Sequence, residues 1–494
     1  MPSFNKANGI SRLFSFLRTK QSGQINRELP FVAMIFTVMA ASGVTLHDSW
    51  KKLRSISLLP TTQKEAKDVV RQVEVLGYDV LSVMYKKASE TKSKLYRDLL
   101  AGYVSAVKSG SNLVSFLNSK LRSIFEMQNA AANRSIEKLA TLVEVYSVML
   151  IVTLCVYLLV IVVYSTSFVL ELGAAAPSSS TDIYLLVFFA TPLISLIFMA
   201  IAHRMQRSTL ISVKKPYYRA AFPAVGAFGL IFAVVSVPQL GFVKEFLPLP
   251  MLISICLLIV SIPPAISYHK IAKINFAAEE GMPSFLRDVT EARKTGLSPE
   301  KSIIHASKRK EHGKFSEHLR LIRDQLEWGI SLRKIFRNLK REIQSWPVLV
   351  NFLILVETIE VGGGSTTALE ILSEYSEKNR DIEKNKRDML KPYIILSLIW
   401  SILMALTITS MIYILTQISF PGLAETPLVN IQPYVDVFSA GIIFQCWLSG
   451  FFIGKISEGS FAAGFKYSAL LVVSCYLSLH ASEILLSSIM VGII

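Results

Sequence analysis

The segments Gly43-Val44-Thr45-Leu46 and Gly296-Leu297-Ser298-Pro299 lie 253 residues apart and share one form: a glycine, an apolar residue, then a hydroxyl side chain. Each opens a ladder. Gly43, Gly77 and Gly110 are spaced by 34 and 33 residues, and Gly296, Gly329 and Gly363 by 33 and 34. Two positions after each glycine stands a short polar residue: Thr45, Asp79, Asn112, Ser298, Ser331 and Ser365. Glycine ends a helix because it takes the left-handed conformation without a Cβ clash. A following Ser, Thr, Asp or Asn starts the next helix by accepting from a free backbone N–H. Thr45-x-x-Asp48 has the form of a capping box, Thr367-x-x-Glu370 offers another cap, and Pro299 fits the first helical position. Leu29-Pro30-Phe31 and Met282-Pro283-Ser284 keep the same offset upstream. The pattern predicts a duplicated helical domain of six helices per copy. Tetratricopeptide repeats have a similar period, but their Trp, Tyr and Pro pattern is absent.

The remainder of the 494-residue chain is apolar: 52% hydrophobic and 18% charged, against about 25% charged in soluble domains. A span needs about 20 apolar residues, and seven stretches qualify. The expected order is a basic segment 1–28, a cytoplasmic domain 29–143, spans at 144–170, 183–202, 220–243 and 246–268, a second domain 269–391, and spans at 392–417, 434–454 and 467–490. With the N-terminus inside, 51 of the 52 Lys and Arg fall on one side of such a layout, and Lys244 is the exception. That split follows the positive-inside rule. It accounts for the net charge of +16 without a nucleic-acid partner. Leu29–Leu46 is apolar and follows a basic segment, as a signal peptide would. Its repeat partner near Met282 is not a span, so it is expected to be a buried core helix.

Little points to catalysis. Cys155, Cys256, Cys446 and Cys475 form no CxxC, and the chain has no GxxxxGK[ST] and no HExxH. No enzyme activity, cofactor or metal is expected. Three features remain as candidate sites. Arg333, Arg337 and Arg341 recur every four residues opposite an apolar stripe, and Lys308, Arg309 and Lys310 form a second basic cluster. Such faces contact solvent, anionic lipid or an acidic protein. Gly362-Gly363-Gly364, preceded by Glu357 and Glu360, has two glycines more than a helix stop requires and reads as a hinge or close contact. Glu144, Asp436 and Glu483 lie in or at the edge of spans, where an ionisable group is costly.

These motifs, in this order and duplicated, resemble the F-domain inner-membrane platform proteins of type II secretion, type IV pilus and archaellum machines. Tyr96-Arg97-Asp98-Leu99-Leu100, Ser109-Gly110 and Val143-Glu144-Val145-Tyr146 are most similar to the archaeal branch. Bacterial members usually have three spans and a Gly-Glu-x-x-Gly turn, whereas here Glu357 and Glu360 precede the glycines. The resemblance implies an all-α fold with two F-type six-helix domains. It also implies a hexameric secretion ATPase and pilin-like subunits as partners, a homodimer, and no enzymatic activity. The alternative is a polytopic secondary transporter, which the parallel, mostly hydrophilic repeat disfavours.

The expected topology is directly testable. A cysteine at Ser178 or Thr426 should react with an impermeant thiol reagent from outside intact cells, and one at Ser307 should stay unlabelled. Labelling at position 307 would reverse the layout.

Overall fold

In this computed structural model the described residues are 24–169, 184–206, 214–236, 248–309, 311–417 and 432–491. The domain repeat comprises α1 (24–41), α2 (Leu46–Ser55), α3 (Pro60–Glu74), α4 (Val80–Glu90), α5 (Lys94–Lys108) and α6 (Leu113–Val169). Then come α7 (Thr191–Met205), α8 (Lys214–Ser236) and α9 (Leu249–Lys294), whose last turns begin the second repeat. It continues through α10 (Pro299–Ser307), α11 (Ser316–Glu327), α12 (Leu332–Glu342), α13 (Trp346–Gly362) and α14 (Thr366–Leu390). The chain finishes with α15 (Pro392–Gln417), α16 (Gln432–Glu458) and α17 (Phe461–Val491). The described residues are helical with no strand.

All six ladder glycines have positive φ, between 59° and 87°. Four of the six expected caps accept from the backbone: Thr45 from Asp48, Asp79 from Ser82, Asn112 from Ser115 and Ser298 from Lys301. Ser331 makes no such bond. Thr367 is not used as the alternative cap, because α14 already starts at Thr366.

The chain forms two compact units, residues 1–132 with 274–384 and residues 133–273 with 385–494. The first unit contains both copies of the repeat in one hydrophobic core. The Leu29–Leu46 stretch is a core helix there: Leu29, Phe31, Val32, Ala33, Met34 and Phe36 are each at most 2% exposed. A helix that is apolar all round belongs in an interior. Glu28 at its start is buried and accepts from the Thr61 and Thr62 amides, capping α3 in place of its apolar N-cap Leu59. In the second copy Asn275 serves a different helix, accepting from the Gln344 and Ser345 amides ahead of α13, the counterpart of α5. Across the copies, Phe31 packs edge-on against Trp346 and Tyr375 at 4.4 and 5.3 Å, and Phe125 meets Tyr375 at 4.5 Å. Such aromatic pairs contribute roughly 0.5–1.5 kcal/mol each beyond area burial.

Among the described residues six helices are long and apolar enough to cross a membrane, and three of them are shared with the first unit. The expected span 220–243 falls on α8, which is helical to Ser236; its remainder lies outside the described residues. Two expected boundaries leave no mark. α6 runs for 57 residues through position 144, and α9 for 46 residues through position 269. No glycine or proline stop stands at either place, so only the surface chemistry of the helix changes. Pro392 does break the chain, between α14 and α15. Ser307 proves buried and donates to the Ile303 carbonyl, so exposed Lys308 is the better labelling position for the side expected to be inside.

Small residues set the closest approach in the second unit. A Cβ added to Gly454 would stand 2.4 Å from Gly464 Cα, and one on Gly450 would stand 2.3 Å from Ser468 Cα. Helices in lipid gain little from the hydrophobic effect and associate by such close packing. Gly454→Val should therefore destabilise the chain by roughly 1–3 kcal/mol, the usual cost of overpacking. Gly226→Val on α8, where a Cβ meets nothing within 4 Å, should be near neutral. Thermal denaturation of both variants in detergent checks the contrast.

Candidate functional site

The acidic and glycine residues singled out around α13 gather at one place, the end of α13 in the first unit. Glu357 and Glu360 occupy the last turns of α13, one turn apart. Arg333, in the first turn of α12, donates to both: Nε to Glu360 Oε2, and NH2 to Glu357 Oε1 at 3.0 Å. Lys52 on α2, from the other copy of the repeat, reaches Glu357 Oε2 at 3.3 Å. Glu357 is 4% exposed, so a buried carboxylate holds one cation from each copy. The hydrogen bond donated to Glu360, then the charge of Glu357, keeps the Arg333 guanidinium pKa above its ordinary value.

The glycine turn follows directly. Gly363 is the left-handed stop at φ 59°, and the Gly364 amide donates to the Thr358 carbonyl at 3.2 Å. Gly364 is itself left-handed at φ 70°, and a Cβ there would lie 3.3 Å from Pro299 Cγ. Of the two additional glycines, then, Gly364 has a local structural reason, and Gly362 remains as the last residue of α13. Arg293, at the end of α9, clamps the turn. Its Nε donates to the Gly364 carbonyl at 3.0 Å, its NH2 to the Gly363 carbonyl at 3.1 Å, and its NH1 to the Leu297 carbonyl. One guanidinium thus joins the first and third glycine turns of the second copy. The first copy has Ala40 at the corresponding position and no equivalent clamp. Sequence reading missed Arg293, because its partners are backbone carbonyls some seventy residues away.

The basic candidates separate. Arg333 is turned onto its carboxylates. Arg337 and Arg341 are exposed on α12 with no acidic partner among the described residues. Arg309 pairs with buried Asp288 at 2.8 Å, beside His312 at 3.4 Å, while Lys308 is exposed. Lys310 lies outside the described residues.

In the second unit, Glu144 is exposed and Asp436 half-buried. Glu483 is exposed, with His480 at 3.7 Å. The three do not converge. Sequence reading also missed a buried polar network in this unit. Tyr146 Oη bonds Ser195 and Ser449 at 3.0 and 2.7 Å, and Gln445 Nε2 donates to Ser195 at 2.7 Å. Lys455, 2% exposed, donates to the Gly459 carbonyl at 2.7 Å. A small cleft of about 20 Å³, lined by Tyr146, Ser147, Trp400, Ser401, Gln445 and Ser449 among others, runs beside this network. Among the described residues, no group of three His, Cys, Asp or Glu is placed to hold a metal ion.

The family model for type II secretion system protein F matches residues 33–162 and again 285–413, each a helical repeat with the span that follows it. Together the two matches cover more than half of the chain. The chain belongs to the type II secretion system protein F family. Members of this family are non-catalytic membrane platform proteins, and in general they work with a secretion ATPase and pilin-like subunits. The chain is also similar to an uncharacterized protein of Methanocaldococcus jannaschii, 22% identical across 93% of this chain and 80% of that protein. No solved structure matches.

The clamp and the ion-paired joint make separable predictions. Arg293→Ala strips donors from the Gly363 and Gly364 carbonyls and should cost about 1–3 kcal/mol, the range for an unsatisfied polar group. Arg293→Lys keeps the charge but not the fork geometry and should recover only part of this. Arg333→Ala leaves buried Glu357 with Lys52 alone. It should cost about 1–3 kcal/mol, below the 3–5 kcal/mol of a fully buried pair because the guanidinium is half exposed. Denaturation midpoints of the full chain in detergent measure all three.

Proposed function

We propose that this chain is the assembly platform of a type IV filament or type II secretion-like machine in the cytoplasmic membrane. The observation that carries this reading is the double match, in which each F domain arrives with its own span. The spans would collect pilin-like subunits by their apolar helices. The helical unit would face the cytoplasm and receive a hexameric secretion ATPase, coupling nucleotide-driven motion to subunit extraction. The archaeal branch, a homodimeric state and an N-terminus inside with the C-terminus outside belong to the same reading.

Within it, Arg337, Arg341 and Lys308 are the docking cations, since they are exposed and have no acidic partner among the described residues, whereas Arg333 has a structural task. Gly362 is the hinge candidate that remains. Glu483 and Asp436 serve as polar contacts of the spans, and Glu144 lies near a headgroup boundary.

The deciding experiment is co-purification of the tagged chain with the secretion ATPase and a pilin. Charge reversal of Arg337, Arg341 and Lys308 together should weaken ATPase association severalfold at low salt and less at high salt, since the Debye length is about 10 Å at 0.1 M. Gly362→Ala should impair filament assembly more than abundance. Substrate uptake by the purified chain alone, with neither partner retained, would favour a transporter and overturn the platform reading.

A further inference from the structure

The six glycine turns are alike in backbone and unlike in what precedes the glycine. Ser42, Ser109 and Thr295 stand before Gly43, Gly110 and Gly296. The middle turn of each copy differs. Leu76-Gly77-Tyr78 and Trp328-Gly329-Ile330 occupy equivalent positions, 252 residues apart. There Val75, Leu76 and Tyr78 are 73%, 55% and 57% exposed, and Trp328 is 84% exposed. The residue before a left-handed glycine cap has no packing duty; the hydrophobic contact of such a cap is made by the residue after the glycine. Ile330 fulfils that duty by packing against the core. The Trp328 side chain forms no hydrogen bond or ring contact among the described residues, and only its backbone N–H is bonded, to the Asp324 carbonyl. Large apolar side chains have no local reason to sit at both tips, and Trp and Tyr are the residue types enriched in binding hot spots.

The setting narrows what covers them. Contacts bring the turns of each copy together: His47 after Gly43 meets Glu74 before Gly77, and Arg333 after Gly329 and Arg293 before Gly296 both reach the end of α13 or the Gly363 turn, so these turns share one end of the unit. The opposite end is where α9 arrives and Asn275 caps α13. Within the first unit the tips therefore lie at the end opposite residue 274, where the chain enters that unit, which disfavours a lipid surface. A second copy of the chain is disfavoured by charge: exposed Lys334, Arg337 and Lys340 follow Trp328 on α12, in a chain of net charge +16. What fits is an acid-rimmed apolar pocket on a soluble protein. Because the same position is used in both copies, it fits a protein that presents such a pocket more than once.

We propose that the Val75/Leu76/Tyr78 tip and the Trp328 tip are paired anchors for one oligomeric cytoplasmic protein, engaging the same apolar pocket on two of its subunits. This rests on the platform reading, in which that protein is the hexameric ATPase. Linking two such contacts in one chain raises affinity through effective concentration, without requiring either contact to be tight.

The test uses the full chain in nanodiscs and the purified ATPase hexamer as probe, with binding read by interferometry. Trp328→Ser alone, and Leu76→Ser with Tyr78→Ser, should each weaken binding about tenfold or more. The three changes together should bring it to background. Exposed positions should leave the thermal midpoint unchanged, which separates lost docking from lost folding. If the hexamer binds every variant like the parent, or if only one tip matters, paired anchoring is overturned while the platform reading stands. If the hexamer does not bind the parent chain, both fall. Quenching, by spin-labelled lipid in the nanodisc, of the emission that Trp328→Ser removes would place the tip on the bilayer and overturn the proposal in favour of a membrane contact.

Discussion

Trp346 packs edge-on against Phe31 and donates its indole N–H to the Leu58 carbonyl at 2.9 Å, while Arg27 lies over its ring. Through this one side chain, an element that begins α13 in the second copy is seated among α1 and the α2–α3 connection in the first. The rest of the helical unit depends on that seating. It brings Tyr375 against both Phe31 and Phe125, and it aligns α2 so that Lys52 reaches Glu357. The buried carboxylate would be expensive to hold with Arg333 alone, and the second cation is available only because the two copies share an interior.

The duplication was legible because a left-handed backbone leaves few choices of residue. Six glycines at matched intervals therefore appeared in the structure as six positive-φ turns. The caps were legible for the same reason: short polar side chains beside those turns have a local backbone partner. Helix boundaries at 143/144 and 268/269 were not legible as structure, since nothing in α6 or α9 interrupts the hydrogen-bond ladder. Periodicity reports which face is apolar and says nothing about where a continuous helix passes from one environment to another.

The candidate site was legible in part. Composition located Arg333, Glu357 and Glu360, but their pairing depends on α12 and α13 lying side by side. A basic repeat every four residues looks the same whether its first member faces solvent or a buried carboxylate. Arg293 was invisible because carbonyl acceptors carry no sequence signature. The Tyr146, Ser195, Gln445 and Ser449 network was hidden likewise, as single polar residues scattered through apolar runs that come together only when the helices pack.

The shared core has a consequence for how the protein can be divided. The residues that join the copies are not matched across the repeat: Phe31 corresponds to Ser284, Phe125 to Lys378, Trp346 to Lys94 and Tyr375 to Arg122. Each half has become the unequal complement of the other. A fragment holding only one repeat would expose its aromatic seam and could not cover it with a second copy of itself. A soluble piece suited to crystallography would have to splice residues 24–132 to 274–384, leaving out the spans that the chain threads between them.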